Sequence, residues 1–232
     1  FNLGKTLIRN DINHGLLTLS NSSLITQARS KIANFFINNT EHDYLLFLDS
    51  DIGFESEDVI KLLSHQVPIV SGAYPMKVIP ERYCVEVSQP ERRDGNLLKI
   101  NGNGMGFVLI HRQVFLEIAR KYPDLKYIPS DYHSDTPHTC GEIRNSYHYF
   151  AEHKSKNGFM SVKYIPSDYH SDTPHTCGEI RNSYHYFAEH KSKNGFMSED
   201  KSFFYRASQV GYDIWLDTSI HLNHTGYHIY QG

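Results

Sequence analysis

The chain has 232 residues, 39% of them hydrophobic, with 16 Tyr, 13 Phe and a formal net charge of −3. That length suits one domain with its own core, and the charge balance lacks the basic excess that marks nucleic-acid binding. Its apolar runs reach about five residues, far short of the ~20 that a membrane-spanning helix needs. Nothing at the start reads as a signal peptide. The three cysteines, none in a C-x-x-C pair, set no disulfide framework and fit a reducing, cytoplasmic setting.

Residues 1–15 show helical spacing, with Leu3, Leu7 and Ile8 on one face, and 16–19 is a short strand candidate. Residues 23–38 place Leu24, Ala28, Ile32, Phe35 and Phe36 at helical intervals and predict a helix. YLLFL, residues 44–48, predicts a buried strand that ends on Asp49-Ser50-Asp51. Ser56 is placed to cap the next helix, with Glu57 and Asp58 in the first turn, where acids suit the dipole. Val59, Ile60, Leu62 and Leu63 give that helix its apolar face. Residues 68–74 read as another apolar strand. Strands at 84–89 and 97–101 flank ERRDGN, whose Asp94-Gly95 pair signals a hairpin turn. Residues 106–110 form a strand that runs into a helix through Val114, Phe115 and Ile118. Residues 125–198 are polar, rich in Tyr and His, weakly periodic, and read mostly as loop. Ser198 is placed to cap a helix over 199–210 that Gly211 stops. A strand at 214–216 and a strand or turn over 221–230 close the chain. Strands alternating with helices, then a hairpin, predict an α/β fold with a mixed sheet.

The polar stretch contains an unusual repeat. Residues 125–161 and 162–198 match at 36 of 37 positions, differing only as Leu125 against Val162. Structural repeats drift in sequence, and solenoids need about three copies or more to bury a continuous core. Two near-identical copies therefore fit a very recent tandem duplication, an artificially introduced second copy, or one segment written twice. A single-copy chain would have 195 residues, 11 His, 2 Cys and an unchanged net charge of −3.

The acids after YLLFL carry the first functional signal. In open α/β sheets, ligands sit beyond the carboxyl ends of the strands. In extended backbone, residues i and i+2 point the same way, so Asp49 and Asp51 can converge. Two carboxylates at one point need a cation or donors between them, and a hard divalent ion with sites left for phosphate is a natural partner. The plain alternative is a turn in which both acids cap backbone groups. Glu199-Asp200 is a second acid pair at a helix start, able to cap or to accept a proton from an attacking hydroxyl. The tail HLNHTGYH places His221, His224 and His228 close together. Imidazole beside carboxylates is an ordinary Mn²⁺ or Zn²⁺ donor set, although isolated surface histidines are commoner.

Four blocks in this order, LLFLDSDIGF, IVSGAYPMK, GNGMGFVLIHRQVF and SEDKSFFYRASQVGYDIWLDTSIHLNHTG, resemble glycosyltransferases of the GT-A fold. They look nearest to a chlorovirus-encoded glycosyltransferase domain involved in capsid protein glycosylation, and to related bacterial and phage transferases. The resemblance covers roughly 22–77, 103–115 and 198–232. It implies a single domain over 1–232 with a GT-A, Rossmann-like, mixed but mostly parallel sheet flanked by helices. It also implies metal-dependent transfer of a hexosyl or deoxyhexosyl group from a nucleotide-sugar, a UDP-sugar, to a glycan or glycoprotein acceptor, in the host cytoplasm if the source is viral.

On the matching positions, the resemblance makes Asp49-Ser50-Asp51 the D-x-D motif. Asp51 would bind Mn²⁺ or Mg²⁺, Asp49 the metal or the ribose, and His224 would be the third protein ligand. Arg29 would lie near the nucleotide, where the plain reading is a solvated helix residue. Lys77 would meet the diphosphate or sugar, and Met105 and Gly106 would line the sugar pocket, where the plain reading of Gly104 and Gly106 is a strand bulge. Asp200, with Glu199 beside it, matches the base of inverting relatives, and the polar loop would face the acceptor. Relatives open with a strand carrying nucleobase contacts that is not read here. Two other functions stay open: a haloacid-dehalogenase-like phosphatase with Asp49 as nucleophile, and a non-catalytic module that binds a nucleotide or sugar.

Overall fold

The computed structural model describes residues 2–19, 24–87, 91–92, 95–127, 183–192, 195–226 and 229–231. Helix α1 (Asn2–Arg9) and helix α2 (Ile25–Asn39) precede strand β1 (Tyr44–Leu48) and a two-residue strand β2 (Ile52–Gly53). Helix α3 (Ser56–Ser64) leads to β3 (Ile69–Ala73). A long hairpin follows, with β4 (Val85–Glu86) and β5 (Glu91–Arg92) on one arm and β6 (Leu97–Ile100) and β7 (Gly102–Asn103) on the other. Gly95 at its tip has φ +79°, a conformation that suits glycine. Strand β8 (Phe107–His111) runs directly into α4 (Arg112–Lys121), and β9 (Lys126–Tyr127) follows a 3₁₀ turn. Strand β10 (Ser183–Tyr184) pairs with β9, and β11 (His190–Ser192) forms a hairpin with β12 (Gly195–Met197). Helix α5 (Glu199–Gln209), β13 (Ile214–His221), β14 (Asn223–Thr225) and β15 (Ile229–Gln231) complete the order.

The main sheet has six strands in the order β1-β8-β3-β13-β6-β5. Only β3 and β13 pair in parallel; the other four pairings are antiparallel. The expectation of a mostly parallel sheet is therefore corrected. β1 and β3 do run the same way, as a strand–helix–strand crossover requires, but β8 enters between them in the opposite direction. The mixed α/β class stands. Residues 16–19 form no strand, and the 214–216 strand extends to His221.

Period-two alternation splits the core across the sheet. Ile69, Val108, Ile110, Ile214 and Leu216 face one way and pack with Phe36 of α2, Phe115 of α4 and Phe203 of α5. Val70, Phe107, Leu109 and Trp215 face the other way and pack with Leu7 of α1 and Leu62 of α3. The result is a three-layer α/β/α arrangement. Arg112 locks α2 beneath it: its guanidinium donates to the carbonyls of Phe36, Ile37, Thr40 and His42, closing the helix's open C-terminus. Helix α3 begins at Ser56, but Glu55 precedes it as the cap residue, its N–H donating to Asp58 at 3.0 Å.

The reading of 125–198 as loop needs revision where it is described. Residues 183–197 hold three short strands, and Tyr186 and Phe187 are buried in the core. Residues 128–182, including nearly all of the first copy, lie outside the described residues. No helix among the described residues is long and apolar enough to cross a membrane.

Candidate functional site

The topology gathers the candidate residues at one sheet edge. β1, β3 and β13 point the same way and β8 opposes them, so three carboxyl ends and one amino end meet there. β1 delivers Asp49-Ser50-Asp51 and β3 delivers Tyr74 through Lys77. Gly104-Met105-Gly106 enters β8, and the tail beyond β13 returns as β14 with His224. Helix α5 brings Glu199 and Asp200 to the same edge from the other layer.

An outer cluster forms on Asp51. Lys77 Nζ donates to Asp51 Oδ2 at 2.6 Å, and His224 Nε2 lies 3.4 Å from the same oxygen. Burial is the largest single influence and pushes the Asp51 carboxyl up, but the Lys77 hydrogen bond and charge, with His224 adding to them, bring it below its ordinary value. His224 Nδ1 lies 2.8 Å from the Pro75 carbonyl, and the ring packs edge-on against Tyr74. A carbonyl only accepts, so Nδ1 carries a proton, and Nε2 is the ring nitrogen that faces Asp51. A carboxylate beside an imidazole is a donor set able to take a cation, the Lys77 ammonium being the cation on that carboxylate here, and a backbone carbonyl behind the imidazole is the usual support of a ligating histidine. The main chain fixes the spacing: β14 pairs with β2, and Thr225 N–H donates to the Asp51 carbonyl at 2.8 Å.

An inner cluster forms on Arg29. This residue of α2 is 6% exposed, not the solvated helix residue of the plain reading. Its guanidinium donates to Asp49 Oδ2 at 3.2 Å and to Glu199 Oε1 at 2.9 Å. It thereby joins the two acid pairs that the sequence singles out and lets the two carboxylates approach without net repulsion. Its Nε is buried with no hydrogen-bond partner among the described residues. Asp200, half-buried at the start of α5, accepts from the Ser198 hydroxyl and from Lys201 N–H.

Tyr74 stands between the clusters, a residue the sequence reading did not single out. Its hydroxyl accepts Gly106 N–H at 3.1 Å, and burial pushes its phenol well up from its ordinary value. A Cβ at Gly104 would sit 2.0 Å from that hydroxyl oxygen, and one at Gly106 would lie 3.0 Å from it and 3.1 Å from Asp49 Oδ2. The glycines thus make room for Tyr74 and Asp49. Two glycines at i and i+2, in the turn between β7 and β8, are the signal that something large crosses there.

The remaining candidates divide. Ser50 is exposed in the turn and His221 is exposed at the end of β13. Met105 is 1% exposed and packs in the core. His228 lies outside the described residues. The proposed ligands are not all together: Asp51 and His224 adjoin, while Asp49 turns to Arg29. Among the described residues, no group of three His, Cys, Asp or Glu side chains is placed to hold a metal. The oxygen and imidazole pair of Asp51 and His224 fits a Mn²⁺- or Mg²⁺-type ion that takes its other ligands from water or phosphate.

No family model and no curated protein matches the chain. Among solved structures, the crystal structure of A197 from STIV aligns over 97% of this chain and 78% of its own, at 17% identity and a TM-score of 0.45. At that level, the likeness to A197 carries no conclusion about what this chain does.

Proposed function

We propose that this chain is a metal-dependent glycosyltransferase that moves a sugar from a nucleotide-sugar, a UDP-sugar, to a glycan or glycoprotein acceptor. One observation carries the reading. Asp51, Lys77 and His224 come from three parts of the chain, meet at the carboxyl edge of the sheet, and set a carboxylate oxygen beside an imidazole nitrogen and an ammonium. That arrangement supports a site for an ion that carries a diphosphate. The GT-A-like order of the four sequence blocks supports the same reading.

In this mechanism Asp51 and His224 would hold Mn²⁺ or Mg²⁺, which would supply Lewis-acid stabilisation of charge on the leaving diphosphate. Lys77 lies beside them, and its ammonium can turn from Asp51 to a phosphate oxygen. Arg29 fixes Asp49 and Glu199 relative to each other and so joins the strand end to the start of α5. With Glu199 tied to Arg29, the acid free to accept a proton from an acceptor hydroxyl in an inverting reaction is Asp200.

The test is calorimetric titration with UDP, GDP and inorganic phosphate, each with and without Mn²⁺. The expected result is Mn²⁺-dependent binding of one nucleoside diphosphate, abolished by Asp51→Ala with the fold intact by circular dichroism. Phosphate binding without nucleotide binding would replace this reading with the phosphatase. Unchanged nucleotide binding by Asp51→Ala would remove Asp51 from the site.

A further inference from the structure

Asp51 already holds a cation, and that cation belongs to the chain. Lys77 Nζ donates to Asp51 Oδ2 at 2.6 Å, and His224 Nε2 lies 3.4 Å from the same oxygen. Two ligands each about 2.1 Å from one ion, at roughly 90–110° to each other, stand about 3.0–3.4 Å apart. Asp51 and His224 therefore have the separation of neighbouring ligands on a single ion. The ammonium sits on the oxygen that such an ion would take.

Of the three groups, the Lys77 ammonium is the one able to move. Main-chain bonds fix the other two: Thr225 N–H donates to the Asp51 carbonyl at 2.8 Å, Ile52 pairs with His224, and the imidazole donates to the Pro75 carbonyl. The backbone on either side of Lys77 is also held, with Met76 N–H on the Arg82 carbonyl and Val78 N–H on the Met76 carbonyl. The Lys77 stem lies on Gly226, where a Cβ would meet its Cδ at 3.2 Å. Beyond that bed the side chain is free. The Lys77 and Asp51 side chains are 39% and 40% exposed, so the ammonium leaves the carboxylate for water at small cost.

Resting on the metal reading of this edge, we propose that Lys77 is a tethered counter-ion. Its ammonium neutralises Asp51 in the free protein, yields that oxygen to the divalent ion, and then takes an oxygen of the diphosphate. An ammonium and a divalent ion repel when they meet at one carboxylate oxygen, so each weakens the other's hold there. The diphosphate draws the ammonium away from Asp51 and thereby tightens the ion. By linkage, the ion tightens the diphosphate by the same factor. Lys77 thus makes the site weak for the ion alone and strong for ion and diphosphate together.

The test is binding to the full chain, with Mn²⁺ alone read by the paramagnetic resonance of the free ion and inorganic pyrophosphate at saturating Mn²⁺ read by calorimetry. Lys77→Met keeps much of the stem and removes the charge. It should bind Mn²⁺ alone about two- to fivefold more tightly than the parent, the worth of a partly exposed ion pair. It should bind pyrophosphate at least about tenfold more weakly, the loss of one hydrogen bond to a charged group. Lys77→Arg retains the charge and should match the parent for Mn²⁺ alone. A lysine that merely braces the loop would not move the two affinities in opposite directions. Mn²⁺ bound by the parent and no more tightly by Lys77→Met would overturn the inference and leave the metal reading standing. Mn²⁺ bound by neither protein, or bound equally well by Asp51→Ala, would remove the metal reading and this inference with it.

Discussion

Replacing Arg29 by methionine keeps much of the side chain's bulk and removes its charge. The two arms of the guanidinium are not equivalent. The Glu199 arm is 2.9 Å long, to a side chain 20% exposed; the Asp49 arm is 3.2 Å long, to one 39% exposed. A hydrogen bond to a mostly buried charge contributes about 1.5–3 kcal/mol, whereas a well-exposed pair contributes about 0.2–1 kcal/mol. Arg29→Met should therefore destabilise the fold by about 2–4 kcal/mol. Urea denaturation followed by the fluorescence of Trp215, the single tryptophan, would measure it. Double-mutant cycles separate the arms. Arg29→Met with Glu199→Gln should show a coupling of about 1.5–3 kcal/mol, and Arg29→Met with Asp49→Asn no more than about 1 kcal/mol. Equal couplings, or a variant within about 0.5 kcal/mol of the parent, would refute the claim that this arginine joins α5 to the end of β1.

Two further outcomes follow from packing and charge. Gly104→Ala puts a methyl carbon 2.0 Å from the Tyr74 hydroxyl oxygen and 2.7 Å from its Cζ, and Tyr74 is buried. A loss of at least about 1–3 kcal/mol is expected, smaller when Tyr74 is also phenylalanine; a variant with the parent's melting temperature would show that the turn between β7 and β8 moves aside freely. Asp217 is buried on β13 and accepts from His65 Nε2, 2.8 Å away, and from Ser219. Burial pushes its carboxyl up most strongly, but those hydrogen bonds together hold it below its ordinary value. Its contribution is therefore complete above about pH 4, the unfolded value, and is lost as the pH falls through the lower folded value. The stability gap between the parent and Asp217→Asn should narrow below about pH 4; a gap constant from neutral pH into acid would count against it.

Much of the frame was legible because short apolar runs between polar stretches have few other uses. YLLFL gives β1 with its bounds, and the Asp94-Gly95 signal marks a real hairpin. Strand direction was not legible, because pairing between β1, β8 and β3 is a long-range event on which local propensity is silent. The site was legible as a list and not as an arrangement. Asp51, Lys77 and His224 come together, but nothing near Arg29 in the sequence announces carboxylates 20 and 170 residues away. Met105 looked available beside two glycines, yet its thioether packs in the core. Tyr186 and Phe187 sit in a polar stretch without periodicity, and only the seat offered by α2, α4 and α5 explains their burial.

The antiparallel zipper between β2 and β14 makes the distance between positions 51 and 224 a property of the backbone. The Thr225-to-Asp51 hydrogen bond and the pairing of Ile52 with His224 use amide and carbonyl groups that nearly every residue possesses. The separation is ruled by the main chain, while the chemistry is written in side chains that the main chain does not consult. Position 224 can then be rewritten as aspartate, asparagine or cysteine with the gauge unchanged, each donor set ranking divalent ions differently. This edge is in that sense a fixed frame with interchangeable inserts, and, on the proposed function, a place where metal preference would be retuned without redesigning the fold.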